Sequence, residues 1–247
     1  MGYFAARAAP MGVSSPGVVE AAFYNFHPGM VRRSLPDAWN FTAPESVLAV
    51  RAQAADAALR RLAQEADEMV PYLLPILSKA IEHGNGAGRP LFATNRDVVA
   101  GEDLGGVWQA STTLREHRGD GHVAVLAEAD VDGCEAHVLF TATEGGPPEL
   151  LRDNRGWSES DWEEATDRLR ERGLVASGGQ PTIAGRNLRR HIEQRTDELA
   201  LQPYRALGDE EIDDAIRMLG RLALHIVSSG EIPFPNPVGL PAPDTAG

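Results

Sequence analysis

The chain has 247 residues, with 36 acidic side chains against 23 lysines and arginines, a formal net charge of −13. That balance works against sequence-independent nucleic-acid binding, which depends on neutralising phosphates. An apolar fraction of 43% is ordinary for a soluble globular protein, and no apolar run approaches the ~18–20 residues of a membrane span. The single cysteine, Cys134, excludes an internal disulfide and a thiolate zinc cluster. The N-terminus lacks the apolar core of a secretory signal, so a cytoplasmic protein is expected.

In chain order, Val18, Val19, Ala22, Phe23 and Phe26 at helical spacing predict a first helix from Pro16 to about His27. Thr42 and Glu45 read as a capping box for a long helix whose buried stripe is Val47, Val50, Ala54, Ala58 and Leu62. Another helix follows near Tyr72 to His83, and the "GNGAGRP" tract after it reads as a hinge between halves. A helix from about Leu104 to His117 should end at Gly119-Asp120-Gly121, with Asp120 capping a further helix from His122 to Ala129. A short helix around Cys134 to Thr141, a loop "TEGGPPELLRDNRG", and a helix opened by Ser158 and Asp161 come next. "LVASGGQPTI" reads as two short strands around a Gly-Gly turn. Thr182 then caps a long helix, a final helix runs from about Asp209 to Ser229, and the tail is Pro-rich and extended.

This order predicts a mainly α protein: a helical N-terminal half (1–95), a winged helix-turn-helix-like C-terminal half with a two-stranded wing (96–232), and a Pro-rich tail (233–247). From His122 onward the chain resembles MarR-type regulators, on "DRLRERGLV", the Gly-Gly wing and "TIAGRNLRRHIE". Over nearly its whole length it is similar to the SalK-like helix-turn-helix family of actinobacteria. That resemblance rests on "ARAAPMG", "FYNFHPGMVRRSLPDAW", "LREHRGDGHVAVL", "RGW", "RTDELA" and "IPFPNPVGLP". It implies a place beside natural-product gene clusters; the single lysine, Lys79, with arginine otherwise, fits the GC-rich genome of an actinobacterial source. The similar segments "TAPESVLAVRAQAADAALRRLA" and "WSESDWEEATDRLRERGLV" raise the further expectation of a degenerate tandem winged-helix pseudo-dimer.

The groove-reading half of a MarR-type recognition helix would here be "SESDWEEATD", which carries five acids and no base. Arg168, Arg170 and Arg172 lie at its far end, and the wing carries no arginine. Arg186, Arg189 and Arg190 read as a solvated face, and Arg32 with Arg33 is the best remaining basic pair. DNA is therefore an unfavoured partner.

Two motifs carry candidate chemistry. In "LREHRGDGHVAVL", His117 and His122 would sit about 140° apart on an unbroken helix, but a Gly-Asp-Gly break could bring them together. The bland alternative makes His117 a C-terminal cation and Asp120 a cap. In "FYNFHP", Phe23 and Phe26 place aromatic surface beside Tyr24 and His27, which share a face if the segment is helical. No defined metal-ligand spacing and no haem-attachment motif is present, so neither metal nor cofactor is expected.

The expected site has His117, His122 and Tyr24 as catalytic groups, with Phe23, Phe26, His27, Trp39, Trp108 and Arg118 as ligand-binding residues. The expected function is binding, and possible cofactor-free acid–base cyclisation or isomerisation, of a polyketide-like small molecule. The alternative is a MarR-like, ligand-responsive regulator, for which homodimerisation through the terminal helices is expected.

Overall fold

The computed structural model describes residues 1–238, and every regular element among them is helical. The helices are α1 (Gly2–Ala8), α2 (Pro16–Phe23), α3 (Pro28–Ser34), α4 (Pro44–Leu62), α5 (Val70–His83) and α6 (Pro90–Arg96). They continue with α7 (Leu104–Glu128), α8 (Gly133–Glu144), α9 (Pro148–Arg155), α10 (Glu159–Glu171), α11 (Ile183–Ala200) and α12 (Asp209–Ser228). Proline opens α2, α3, α4, α6 and α9, where its missing N–H has no intrahelical partner to lose.

The spine is α7. It runs without a break through Gly119-Asp120-Gly121 for 25 residues, so the helix end expected there is absent. At 1.5 Å per residue it spans about 37 Å. Helices α4, α5, α6 and α11 all pack along it. Its N-terminal part, through Leu104, Val107, Ala110 and Leu114, shares one apolar core with α5 and α12. Its C-terminal end, through Val125 and Leu126, shares another with α8, α10 and α11. A third core joins Phe4, Val19, Phe23, Phe26, Val31 and Leu35 of the first three helices and their flanks to Leu91 of α6.

The two-stranded wing is not formed. Between α10 and α11 there is only an isolated antiparallel bridge, Val175 to Pro181. The arms are too short for a ladder: Ala176 N–H donates to the Gln180 carbonyl and Thr182 N–H to the Leu174 carbonyl, and Pro181 between them has no N–H. Thr182 then caps α11 through the N–H of Gly185, as its position predicts. With no strand among the described residues, neither a winged C-terminal half nor a pair of winged halves describes this fold.

Other expectations divide. Ser158 and Asp161 form the reciprocal capping box of α10. Thr42 does not cap α4, whose N-cap is Ala43 with no side-chain bond. The α4 stripe is also rotated, because Val50 is exposed while Arg51, Ala52, Ala55 and Leu59 are partly buried. The segment read as loop contains α9. It is followed by the three-residue turn Gly156-Trp157-Ser158 leading into α10, a helix-turn-helix connection with Gly156 left-handed at φ 79°.

One close approach ties the chain's start to its second half. A Cβ on Gly133, at the start of α8, would lie 2.2 Å from the Tyr24 carbonyl oxygen. Gly133→Ala should therefore destabilise the protein by about 2 kcal/mol through forced displacement of the Tyr24–Asn25 backbone. The urea unfolding midpoint reads this, and an unchanged midpoint would show that the contact is slack.

Candidate functional site

Because α7 is continuous, its faces separate the two histidines of "REHRGDGH". His117 is buried, with its ring edge-on to Phe92 at 4.8 Å between centroids, and its Nε2 has no hydrogen-bond partner among the described residues. Burial, with the nearby Arg89 guanidinium, pushes its pKa down to about 4. His122 turns toward α11, where Nδ1 lies 3.0 Å from Thr196 Oγ1. Burial lowers its pKa as well, opposed by Glu193. Asp120 is not a cap of its own helix. Its Oδ2 accepts the N–H of Phe92 at 2.8 Å and so serves the first turn of α6. Burial raises its pKa to about 6.

The "FYNFHP" residues are likewise divided. Helix α2 stops at Phe23, and Tyr24 takes φ +35°, so Tyr24 and His27 do not share a helical face. Tyr24 donates its hydroxyl to the Val131 carbonyl at 2.8 Å. His27 accepts the Gly29 N–H at Nδ1, starting α3, and its ring meets Trp157 edge-on at 5.1 Å. Trp39 packs on the aromatic core, and Trp108 lies under the Arg51 guanidinium at 5.4 Å. Arg118 pairs with Glu193 and Asp197.

What the fold does bring together is a cationic patch on an aromatic wall. Tyr3, Phe4, Phe23 and Phe26 stack in one cluster. The Arg7 guanidinium lies 4.4 Å above Phe23, and that of Arg155 lies 4.5 Å above Phe26. Arg7 grips buried Glu116 with Nε at 3.2 Å and Nη2 at 3.0 Å, and Arg115 donates to the same carboxylate at 2.6 Å. Arg155 has no carboxylate partner among the described residues. Its Nη2 donates to the Pro237 carbonyl of the tail at 2.6 Å, and its Nε is buried without a partner. Burial and the neighbouring Arg7 and Arg115 charges lower its pKa, with Tyr3 opposing.

Arg155 is held by the backbone. It is the last residue of α9, its carbonyl accepts the His27 N–H at 2.9 Å, and the following Gly156 leaves room for Met30, whose Sδ would lie 2.3 Å from a Cβ there. Beside it, the Asn25 carbonyl meets both Trp157 Nε1 at 3.1 Å and His137 Nε2 at 3.2 Å. Sequence reasoning placed Phe23 and Phe26 here but missed Arg7 and Arg155. The available signal was their occurrence in "ARAAPMG" and "RGW", two of the segments that carry the family resemblance.

Two concavities lie elsewhere. An apolar groove of about 530 Å³ between α2, the 88–90 corner and α7 is lined by Val18, Ala21, Ala22, Pro90, Val123 and Ala127, among others, with Asp120 its one acid. A polar cleft of about 510 Å³ is lined by Asn85, Arg89, Arg195, Glu198, Gln202 and Arg205, among others. None of the nine residues expected to form the site lines either. Among the described residues, no group of three or more His, Cys, Asp and Glu could hold a metal, and no helix is long and apolar enough to cross a membrane.

The arginines of α10 are engaged within the protein. Arg168 reaches Glu135 at 3.0 Å and Asp132 at 2.5 Å, Arg172 reaches the Ala129 and Asp130 carbonyls, and Arg170 pairs with Asp167. Arg189 is largely buried and paired with Glu193, and Arg32 pairs with Glu20.

The buried titratable groups set a pH dependence. His117 and His137 both have folded pKa values near 4 against about 6.5 in an unfolded chain. Their neutral forms stabilise the native state above pH 6.5, and that stability, up to about 3 kcal/mol each, is lost as pH falls toward 4. Asp120 acts oppositely, because its raised pKa favours the native state at the acid end of the window between about 4 and 6. The melting temperature should therefore fall between pH 6.5 and 4.5, less steeply in His137→Gln and more steeply in Asp120→Asn. Parallel profiles for all three proteins would refute this assignment.

Residues 1–233 match the model of a helix-turn-helix family. No curated protein and no solved structure matches the chain. The three-residue turn between α9 and α10 agrees with that match, and the chain belongs to this helix-turn-helix family.

Proposed function

We propose that this protein binds a small organic molecule on a helix-turn-helix scaffold that has given up DNA reading. The observation that carries this reading is Arg155, a guanidinium laid on Phe26 beside Arg7 and Arg115 with no carboxylate partner among the described residues. An aromatic-backed cation in a cluster of three guanidiniums with one shared acid, and with its buried Nε unbonded among the described residues, suits an anionic ligand. The resemblance to SalK-like proteins favours a polyketide-like natural product. Acid–base roles for His117 and Tyr24 find little support: one ring is buried against Phe92 and the other side chain's hydroxyl is spent on a backbone carbonyl.

A second reading, a ligand-responsive regulator, is favoured by the helix-turn-helix family itself. Against it stand the acidic first half of α10 and the internal engagement of Arg168 and Arg172. Phosphates approaching that helix would meet Glu159, Glu163 and Glu164.

Native mass spectrometry of the purified protein should detect a copurifying small molecule that is lost in Arg155→Ala. Fluorescence anisotropy with duplex DNA from the gene's own promoter should give weak binding at physiological salt. Tight, salt-dependent promoter binding with no small molecule on the protein would overturn the proposal in favour of the regulator.

A further inference from the structure

We infer that the ligand is a carboxylate attached to a flat apolar or aromatic body, that its carboxylate is received by one edge of the Arg155 guanidinium, and that the Pro237 carbonyl is an internal stand-in for it. This rests on the small-molecule reading above and names the ligand's chemical class.

The argument is one of donor geometry. On a guanidinium, Nε–H and Nη2–H point the same way along one edge, at the spacing of two carboxylate oxygens. Arg7 uses that edge on Glu116, with Nε and Nη2 each bonded to one oxygen. On Arg155 the same edge is half used: Nη2 donates to Pro237, while Nε is buried and bonded to nothing among the described residues. A single carbonyl oxygen fills one of the two places. A carboxylate would fill both and supply the negative charge that the carbonyl lacks.

The surroundings favour an anion with an apolar body. Arg7, Arg115 and Arg155 lie near one another with only Glu116 as their shared acid, so the patch retains positive charge. Tyr3, exposed and packed on Phe26 beside Arg155, offers a ring for a flat body. The tail that supplies the carbonyl is exposed from residue 231 to Pro235, with Glu231 tied to Arg61. Displacing half-buried Pro237 therefore breaks its hydrogen bond to Arg155 while the exposed 231–235 segment has little packing to lose.

Isothermal titration of the full-length protein with 2-naphthoate and with its neutral counterpart 2-naphthamide tests this. The acid should bind at least tenfold more tightly than the amide. Arg155→Gln should abolish that preference, and Arg155→Lys, which keeps the charge but loses the two-donor edge, should retain only part of it. Arg33→Gln, at an exposed arginine outside the patch, should leave it unchanged. Hydrogen exchange should rise at the Val238 amide, which bonds the Asn236 side chain, when naphthoate binds. Equal binding of acid and amide would overturn this inference and leave the small-molecule reading standing. Binding of neither probe at millimolar concentration would also overturn it, with the copurified molecule then judging the broader reading separately. If Arg155→Gln fails to fold, the Arg155→Lys ratio decides, and an undiminished preference there refutes the two-donor edge.

Discussion

The fold depends on α7 staying helical where its sequence argues for a break. Two glycines in a helix interior each cost about 1 kcal/mol relative to alanine. Gly121 is accommodated because the middle of α7 is a docking surface. A Cβ on Gly121 would lie 2.7 Å from Arg89 Nη1. Arg89 uses the space to donate to the His117 carbonyl, and the Asp120 carboxylate takes the Phe92 N–H. The corner between α5 and α6 is thus latched into α7 at one point, and the bonds made there offset the weakened helix. Gly119 has no comparably close neighbour beyond the Glu116 carboxylate.

The unbroken helix determines which side chains can meet. Residues seven apart lie within about 20° of one another, so Arg115 and His122 point the same way while His117 points elsewhere. His117 is drawn to Phe92 and the latch; Arg115 and Glu116 are drawn to α1 and its Arg7. The strained Tyr24 and the close packing of its carbonyl on Gly133 set Asn25 and Phe26 against the α9–α10 turn. The aromatic wall and Arg155 meet because both ends of the chain's first hundred and fifty residues are clamped to this one region.

Local signals in the sequence were read correctly where the deciding interactions are local. The capping box at Ser158, the Thr182 cap and the final helix follow from neighbours within four residues. The failures have several causes. Gly-Asp-Gly read as a break because the partners that stabilise it, Arg89 and Phe92, are about thirty residues away in sequence. The wing read as strands because alternation ignores that Pro181 cannot extend a ladder. Helix α9 was hidden by the Gly-Gly-Pro-Pro before it, which looks like loop although Pro148 starts a helix well. At the site, Phe23 and Phe26 were legible as a cluster within four residues. Arg7 and Arg155 were not, since nothing local distinguishes a guanidinium that reaches across the fold from one in solvent.

Arginine is used in this fold chiefly to join its corners. Helix α10 is built for its own stability: acids at its N-terminus complement the helix dipole, and arginines fall near its C-terminus. Arg168 and Arg172 then bind back onto Asp132, Glu135 and the carbonyls that end α7, locking the corner between α7 and α8. The turn before α10 is committed as well, because Gly156 receives Met30 and the Arg155 carbonyl receives the His27 N–H. A turn packed in this way holds the Arg155 guanidinium 4.5 Å above the Phe26 ring. The packing of the turn thus presents Arg155 to the cluster of Tyr3, Phe4, Phe23 and Phe26.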